Sequence, residues 1–292
     1  MRYSKQGLIA AVAATSAFAL VGCSDSSGGT DEQAAAGYGD CQVYGEKGSI
    51  SLTPVTEGVL TVQTNLPSPG WWKGTSPESI DGGYEYCLAA NIAHRAGLDE
   101  VRVQNVSFDA LVAGQTKDYD IAMAQISVTP ERKEVVTFSA PYFDSNIGVL
   151  APADSDITAD NIASKTVGVQ VGTTAVTWAD ETLKPKVAAK PFQDTTTLVT
   201  AVQSGLTDAA VMDTAIILGF AKNSDGALKV VGQFETGEKY AAIYPKGSTG
   251  ADAIDSAITA MGEDGTLDKL SATWLGPELG GDPAQVPVWT LG

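Results

Sequence analysis

The feature that most constrains this chain is the alternation of short β-branched runs with single helical segments. Residues 59–64 form such a run after Gly58. Residues 84–96 read as a helix, with Leu88, Ile92 and Ala96 four residues apart and Gly97 as its stop. Residues 101–106 are strand-like again, 109–114 a short helix and 121–124 a short apolar strand. Thr129-Pro130-Glu131 then supplies an N-cap, a first-position proline and a first-turn acid, which together open a helix. The second half repeats the rhythm: strand 167–171, helix start 174–181, and helix 195–205 carrying Leu198 and Val202. Strand 209–212, helix 214–221 and strand 228–231 follow. Strands separated by single helices pair in parallel, so the expected fold class is α/β. No period of 20–50 residues recurs, which excludes a solenoid.

At 292 residues the chain suggests about two domains. Its formal net charge of -17 repels a phosphate backbone and argues against nucleic acid as partner. One His cannot write H-E-x-x-H, the three Cys form no C-x-x-C pair, and no metal or cofactor is expected. The nucleophile elbow, the phosphate-binding P-loop and the G-x-G-x-x-G fingerprint are all missing. His94, mid-helix, reads as solvated, and without a His base triad chemistry has no starting point.

Arg2 and Lys5 precede an uncharged, Ala-rich stretch at residues 7–21, which reads as an export signal over residues 1–22; an uncleaved membrane anchor is the alternative. Leu20-Val21-Gly22-Cys23 resembles the lipobox of bacterial lipoproteins, which implies a diacylated Cys23 at the mature N-terminus. Residues 23–57 then form a tether, Ser/Gly-rich at first, and an N-terminal extension. The expected location is extracytoplasmic, lipid-anchored to the cell membrane. If Cys23 carries lipid, Cys41 and Cys87 remain, and an exported chain favours a disulfide between them over two buried thiols.

Three segments at strand C-terminal ends stand out, where open α/β sheets place ligands. Arg132, one turn beyond the strand that leads into Gln125-Ile126-Ser127, can grip a carboxylate with two parallel hydrogen bonds, Ser127 assisting. Taken alone it reads first as a surface arginine near a helix N-terminus. Gly172-Thr173-Thr174 offers backbone N–H groups to an anion, or is a plain capped turn. Asp213 can accept from an ammonium, or simply cap the next helix. Jointly, one cation with two sets of donors and one carboxylate match the two charges of an amino acid.

The stretches Ser127-Val128-Thr129-Pro130-Glu131-Arg132-Lys133 and Val136-Thr137-Phe138-Ser139-Ala140-Pro141-Tyr142 resemble the polar-amino-acid solute-binding proteins of bacterial ABC importers. So do residues 167–174, 208–213 and 262–274. The resemblance implies a two-lobed periplasmic-binding-protein clamshell with parallel-rich sheets and two hinge crossover strands, placed near 142–150 and 240–246. Lobe 1 is then residues 58–145 with 245–292, and lobe 2 residues 146–244. It also implies that Arg132 clamps the ligand carboxylate with Gln125, Ser127 and Thr174, that Asp213 takes the amino group, and that a permease and ATPase complex is the partner of a monomer.

The sequence departs from the family where the ligand side chain is read. Relatives selective for basic amino acids carry an Asp and, three residues on, an aromatic; here stand Asn65 and Ser68, followed by Trp71-Trp72. An unpartnered buried ammonium is costly, which favours a neutral polar ligand over an acidic amino acid or a sulfonate. One of Trp71 and Trp72 is expected to wall the pocket; the alternative is that both pack between loops. The family's Gly-Phe-Asp-x-Asp is here Gly83-Tyr84-Glu85-Tyr86-Cys87, which places Glu85 near the site and strengthens the disulfide assignment of Cys87. Two rivals share the fold: a sensing receptor ectodomain, and a cyclohexadienyl-dehydratase-like enzyme for which Glu85 is the lobe-1 acid.

Overall fold

The computed structural model describes residues 37–292; the leader at 1–22, Cys23 and the tether to residue 36 lie outside the described residues. In chain order the main elements are β1 (Val59–Thr64), α1 (Tyr84–Arg95), β2 (Glu100–Asn105), α2 (Phe108–Val112), β3 (Ile121–Ala122), α3 (Pro130–Val135) and β4 (Val136–Pro152). Then come β5 (Val167–Gln170), α4 (Thr174–Trp178), β6 (Lys190–Phe192), α5 (Thr195–Gln203), β7 (Ala209–Asp213), α6 (Thr214–Lys222), β8 (Leu228–Pro245), α7 (Ala251–Glu263), α8 (Thr266–Leu270) and α9 (Gly276–Leu279). Each helix between parallel strands carries the chain back across the sheet, as the alternation in the sequence requires.

The strands hydrogen-bond in the order β2-β1-β3-β8-β4-β7-β5-β6. β1 runs parallel to β2 and β3, and β5 parallel to β6 and β7. Between these groups β4 and β8 run antiparallel from Val136 opposite Pro245 to Pro152 opposite Leu228. The β1 group joins the C-terminal end of β8, where Ala122 faces Ile243. The β5 group joins the C-terminal end of β4, at residues 147–150. The two long strands therefore cross from one lobe to the other, and their pairing shifts register four times between Phe138 and Leu150. The expected strand at 228–231, the crossover at 142–150 and, up to Pro245, the crossover at 240–246 are pieces of these 17- and 18-residue strands. Residues 232–239 carry a polar, glycine-containing stretch with no strand signal of its own; pairing with β4 extends it.

Separate apolar clusters fill the lobes. Leu60, Val62, Leu88, Ile92 and Ile258 pack in the first; Ile147, Val149, Val167, Val169 and Val211 pack in the second. Cys41 and Cys87 are joined, with Cα atoms 5.2 Å apart, inside the range a disulfide spans. The bond pins the N-terminal extension to α1. Asn91 reinforces it, accepting from Tyr44 N at 2.7 Å and donating to Gln42 O at 3.1 Å. The extension also reaches His94, which is half-buried, its Nε2 3.2 Å from Gly45 O at the surface.

The C-terminal tail departs from the expected lobe division. Gln233 N donates to Pro287 O at 2.9 Å, and Trp289 N to Gln233 O at 2.7 Å. Trp289 meets Phe234 edge-on, and with Leu291 it packs on the lobe-2 cluster rather than on lobe 1. Gly232 is needed there, because a Cβ would sit 2.1 Å from the Trp289 ring. Among the described residues no helix is long and apolar enough to cross a membrane.

Candidate functional site

Arg132 enters the cleft because Thr129 caps α3: Thr129 Oγ1 accepts from Arg132 N at 3.2 Å, and Pro130 fixes the first turn. The side chain is 8% exposed, so the surface-arginine reading fails. Its Nη1 donates to Ser127 O at 2.6 Å and its Nη2 to Gly172 O at 2.8 Å, and the guanidinium lies 5.5 Å from the Phe108 ring centroid. Five guanidinium donors leave three for other partners. The contact with Gly172 joins the two lobes. It depends on a glycine at that position, since φ is +76° and a Cβ would lie 3.0 Å from the Asp109 Cα.

Asp213 ends β7 and precedes α6, yet its carboxylate makes no capping hydrogen bond. Oδ2 accepts instead from Tyr240 Oη at 2.7 Å, and the plain N-cap reading is thereby set aside. The side chain is 4% exposed. Burial first, and the neighbouring Glu238 carboxylate second, push this carboxyl up to about 7, while Tyr240 and Arg132 pull it down. Burial also pushes the Arg132 guanidinium below its ordinary value, and Asp213 and Glu238 pull it back.

One cleft brings together Asn65, Ser68, Phe108, Gln125, Ser127, Arg132, Gln170, Thr173, Thr174, Thr195, Met212, Asp213 and Ile216. Its free space is about 20 Å³, room for about one water molecule. Of the residues expected from sequence, Arg132, Asp213, Ser127, Gln125, Thr173, Thr174 and Asn65 line it. Thr173 turns its hydroxyl to Gln170 O, at 2.7 Å. Asn65 Nδ2 is held by Val106 O at 2.9 Å.

Trp71, Trp72 and Glu85 do not line the cleft. Both tryptophans are fully buried, Trp71 among Tyr84, Phe143 and Tyr240, with centroids 4.9–5.5 Å away. Glu85 is sealed beneath the cleft floor. It accepts from Trp72 Nε1 at 2.7 Å, from Gln125 N at 2.8 Å, from Gln125 Nε2 and from Tyr142 Oη. Desolvation outweighs these bonds and pushes its carboxyl up to about 7. What Glu85 does is hold Gln125 in left-handed backbone geometry, φ +51°, which is costly for a residue with a Cβ. Gln125 Oε1 then accepts from Ser68 Oγ at 2.7 Å. The acid that a dehydratase reading requires is thus occupied in positioning.

The matching family model is that of the bacterial extracellular solute-binding proteins, family 3, over residues 75–277. The chain belongs to this family. Among family relatives it is 28% identical over 202 residues to the L-cystine-binding protein TcyJ of Escherichia coli (strain K12), covering 68% of this chain and 75% of TcyJ. It is 35% identical over 199 residues to the amino-acid-binding protein AabA of Dichelobacter nodosus, covering 66% and 78%. A solved ancestral arginine-binding protein bound to arginine superposes with a TM-score of 0.68 at 30% identity, over 75% of this chain and 99% of that one.

Sequence reasoning missed Phe108, Gln170, Thr195 and Glu238. Phe108 and Gln170 sit at or just past the C-terminal ends of β2 and β5, so the strand-end rule could have found them. Thr195 Oγ1 donates to Gln170 Oε1 at 2.7 Å and fixes that amide. Glu238 carries no sequence signal; it reaches the cleft only through the pairing of β8 with the Ser127 segment.

Proposed function

We propose that this chain is the extracytoplasmic, substrate-binding lipoprotein of an ABC importer, anchored through Cys23, and that it captures an amino acid between residues 58–145 and 146–244 for a membrane permease and ATPase. The observation that carries the amino-acid reading is Arg132 and Asp213 lining one nearly closed cleft, a buried cation from lobe 1 and a buried carboxylate from lobe 2. Relatives named for amino-acid binding support it. No acid stands at Asn65 or Ser68, the positions assigned to the ligand side chain, and this favours a neutral polar ligand. A thermal-shift screen of the standard amino acids tests the reading. A ligand at 100 times its Kd should stabilise by about 2.7 kcal/mol; no shift with any of them would remove it.

The ligand ammonium needs Asp213 ionised. Affinity is therefore expected to fall as pH drops below about 7, by up to about tenfold per pH unit. Stability should move the other way. Asp213 and Glu85 hold their protons more tightly folded than unfolded, so their contribution is full below the ordinary carboxylate range and is lost as pH rises through about 7. Titration calorimetry and unfolding at pH 5.5 and pH 8 read both; affinity that is flat with pH would take the ammonium away from Asp213.

A further inference from the structure

We propose that Glu238 is an internal carboxylate seated on the hydroxyls assigned to the ligand's carboxylate, and that a ligand has to displace it in order to bind. The inference rests on the reading that the ligand carries a carboxylate. Glu238 Oε2 accepts from Ser127 Oγ of lobe 1 and from Thr174 Oγ1 of lobe 2, the latter at 2.8 Å. Its Oε1 accepts from Thr236 Oγ1 at 3.2 Å. A hydroxyl has a single hydrogen to donate, so Ser127 and Thr174 cannot serve Glu238 and a ligand carboxylate at once. Charge points the same way. The Arg132 guanidinium already feels both Asp213 and Glu238, and a third anion beside it would add repulsion. The free space of about 20 Å³ leaves no second seat.

Glu238 also has somewhere to go. It is half-buried and lines a second cavity of about 1190 Å³, formed by Phe143–Asn146, Lys239 and the C-terminal helices. Side-chain rotation toward that space frees both hydroxyls without moving β8. The measured affinity is then a difference between seating the ligand's carboxylate and unseating the protein's own.

The test is calorimetric titration of wild type, Glu238→Ala and Glu238→Gln with each standard L-amino acid, repeating the best binder as its carboxamide. Removing a charged competitor should tighten binding of the free acid by roughly tenfold or more in Glu238→Ala. The gain should be smaller in Glu238→Gln, whose amide oxygen still accepts a hydrogen bond without the charge. The carboxamide, which has no carboxylate to seat, should gain less than the free acid. Equal binding by wild type and Glu238→Ala overturns the proposal. So does weaker binding by the variant, which would make Glu238 a counter-charge for a ligand cation. If neither protein binds any amino acid, the amino-acid reading itself fails, a pattern distinct from both.

Discussion

Arg132→Ala is expected to weaken amino-acid binding by about 2–5 kcal/mol, roughly 30- to several-thousand-fold. The side chain is the cation of the cleft, and it also ties the lobes by donating to Ser127 O and Gly172 O. Truncation leaves a ligand carboxylate half-desolvated without its planar partner. It also removes a hydrogen bond that favours lobe closure. Arg132→Lys should recover only part of the loss, since an ammonium cannot serve a carboxylate and two backbone carbonyls with the geometry of a guanidinium. The cleft is drier than an open groove, so some loss of stability accompanies the change; the measurement that counts is therefore affinity well below the melting temperature. Binding by Arg132→Ala close to wild type would remove the carboxylate clamp from this residue.

Trp71→Ala is expected to cost about 3–5 kcal/mol of stability, the range for deleting a fully buried large aromatic. The ring meets Tyr84 of α1, Phe143 of β4 and Tyr240 of β8 edge-on, so the cavity left behind would open where the first lobe meets both long strands. Trp71→Phe should cost much less. It keeps most of the ring contacts, and it removes an indole N–H that has no hydrogen-bond partner among the described residues. Denaturant unfolding reads both variants. Affinity separates this role from a pocket wall: Trp71→Phe should bind the ligand as wild type does, because Trp71 does not line the cleft. A large loss of affinity without a loss of stability would return Trp71 to the pocket.

Much of the fold was legible along the chain. The expected strand 59–64 is β1, and the expected helix 84–96 is α1 to within a residue, because hydrophobic period and stop signals are local. The cap at Thr129 was legible for the same reason, and with it the direction in which Arg132 points. The long strands were not. Residues 232–239 have no apolar period, and only the ladder to β4 makes them extended.

The site divides along the same line. Arg132, Asp213, Ser127 and Thr174 follow from sequence because strand ends and helix starts fix their positions, and the α/β order fixes on which edge of the sheet they fall. Trp71, Trp72 and Glu85 were placed at the ligand by proximity in sequence to Asn65 and to α1. The tertiary structure turns them inward, because two large apolar rings gain more from full burial than from a polar cleft, and because Trp72, Gln125 and Tyr142 converge on one carboxylate. Glu238 is the reverse case: a polar residue in a stretch without pattern, brought onto Ser127 and Thr174 by strand pairing across more than sixty residues of chain. Sequence by itself determined which residue types could answer the two charges of a zwitterion and where the strand ends would put them. Which side chains reach the cleft, and which carboxylate already stands on its hydroxyls, was decided by packing and long-range pairing, because neither leaves a local period to read.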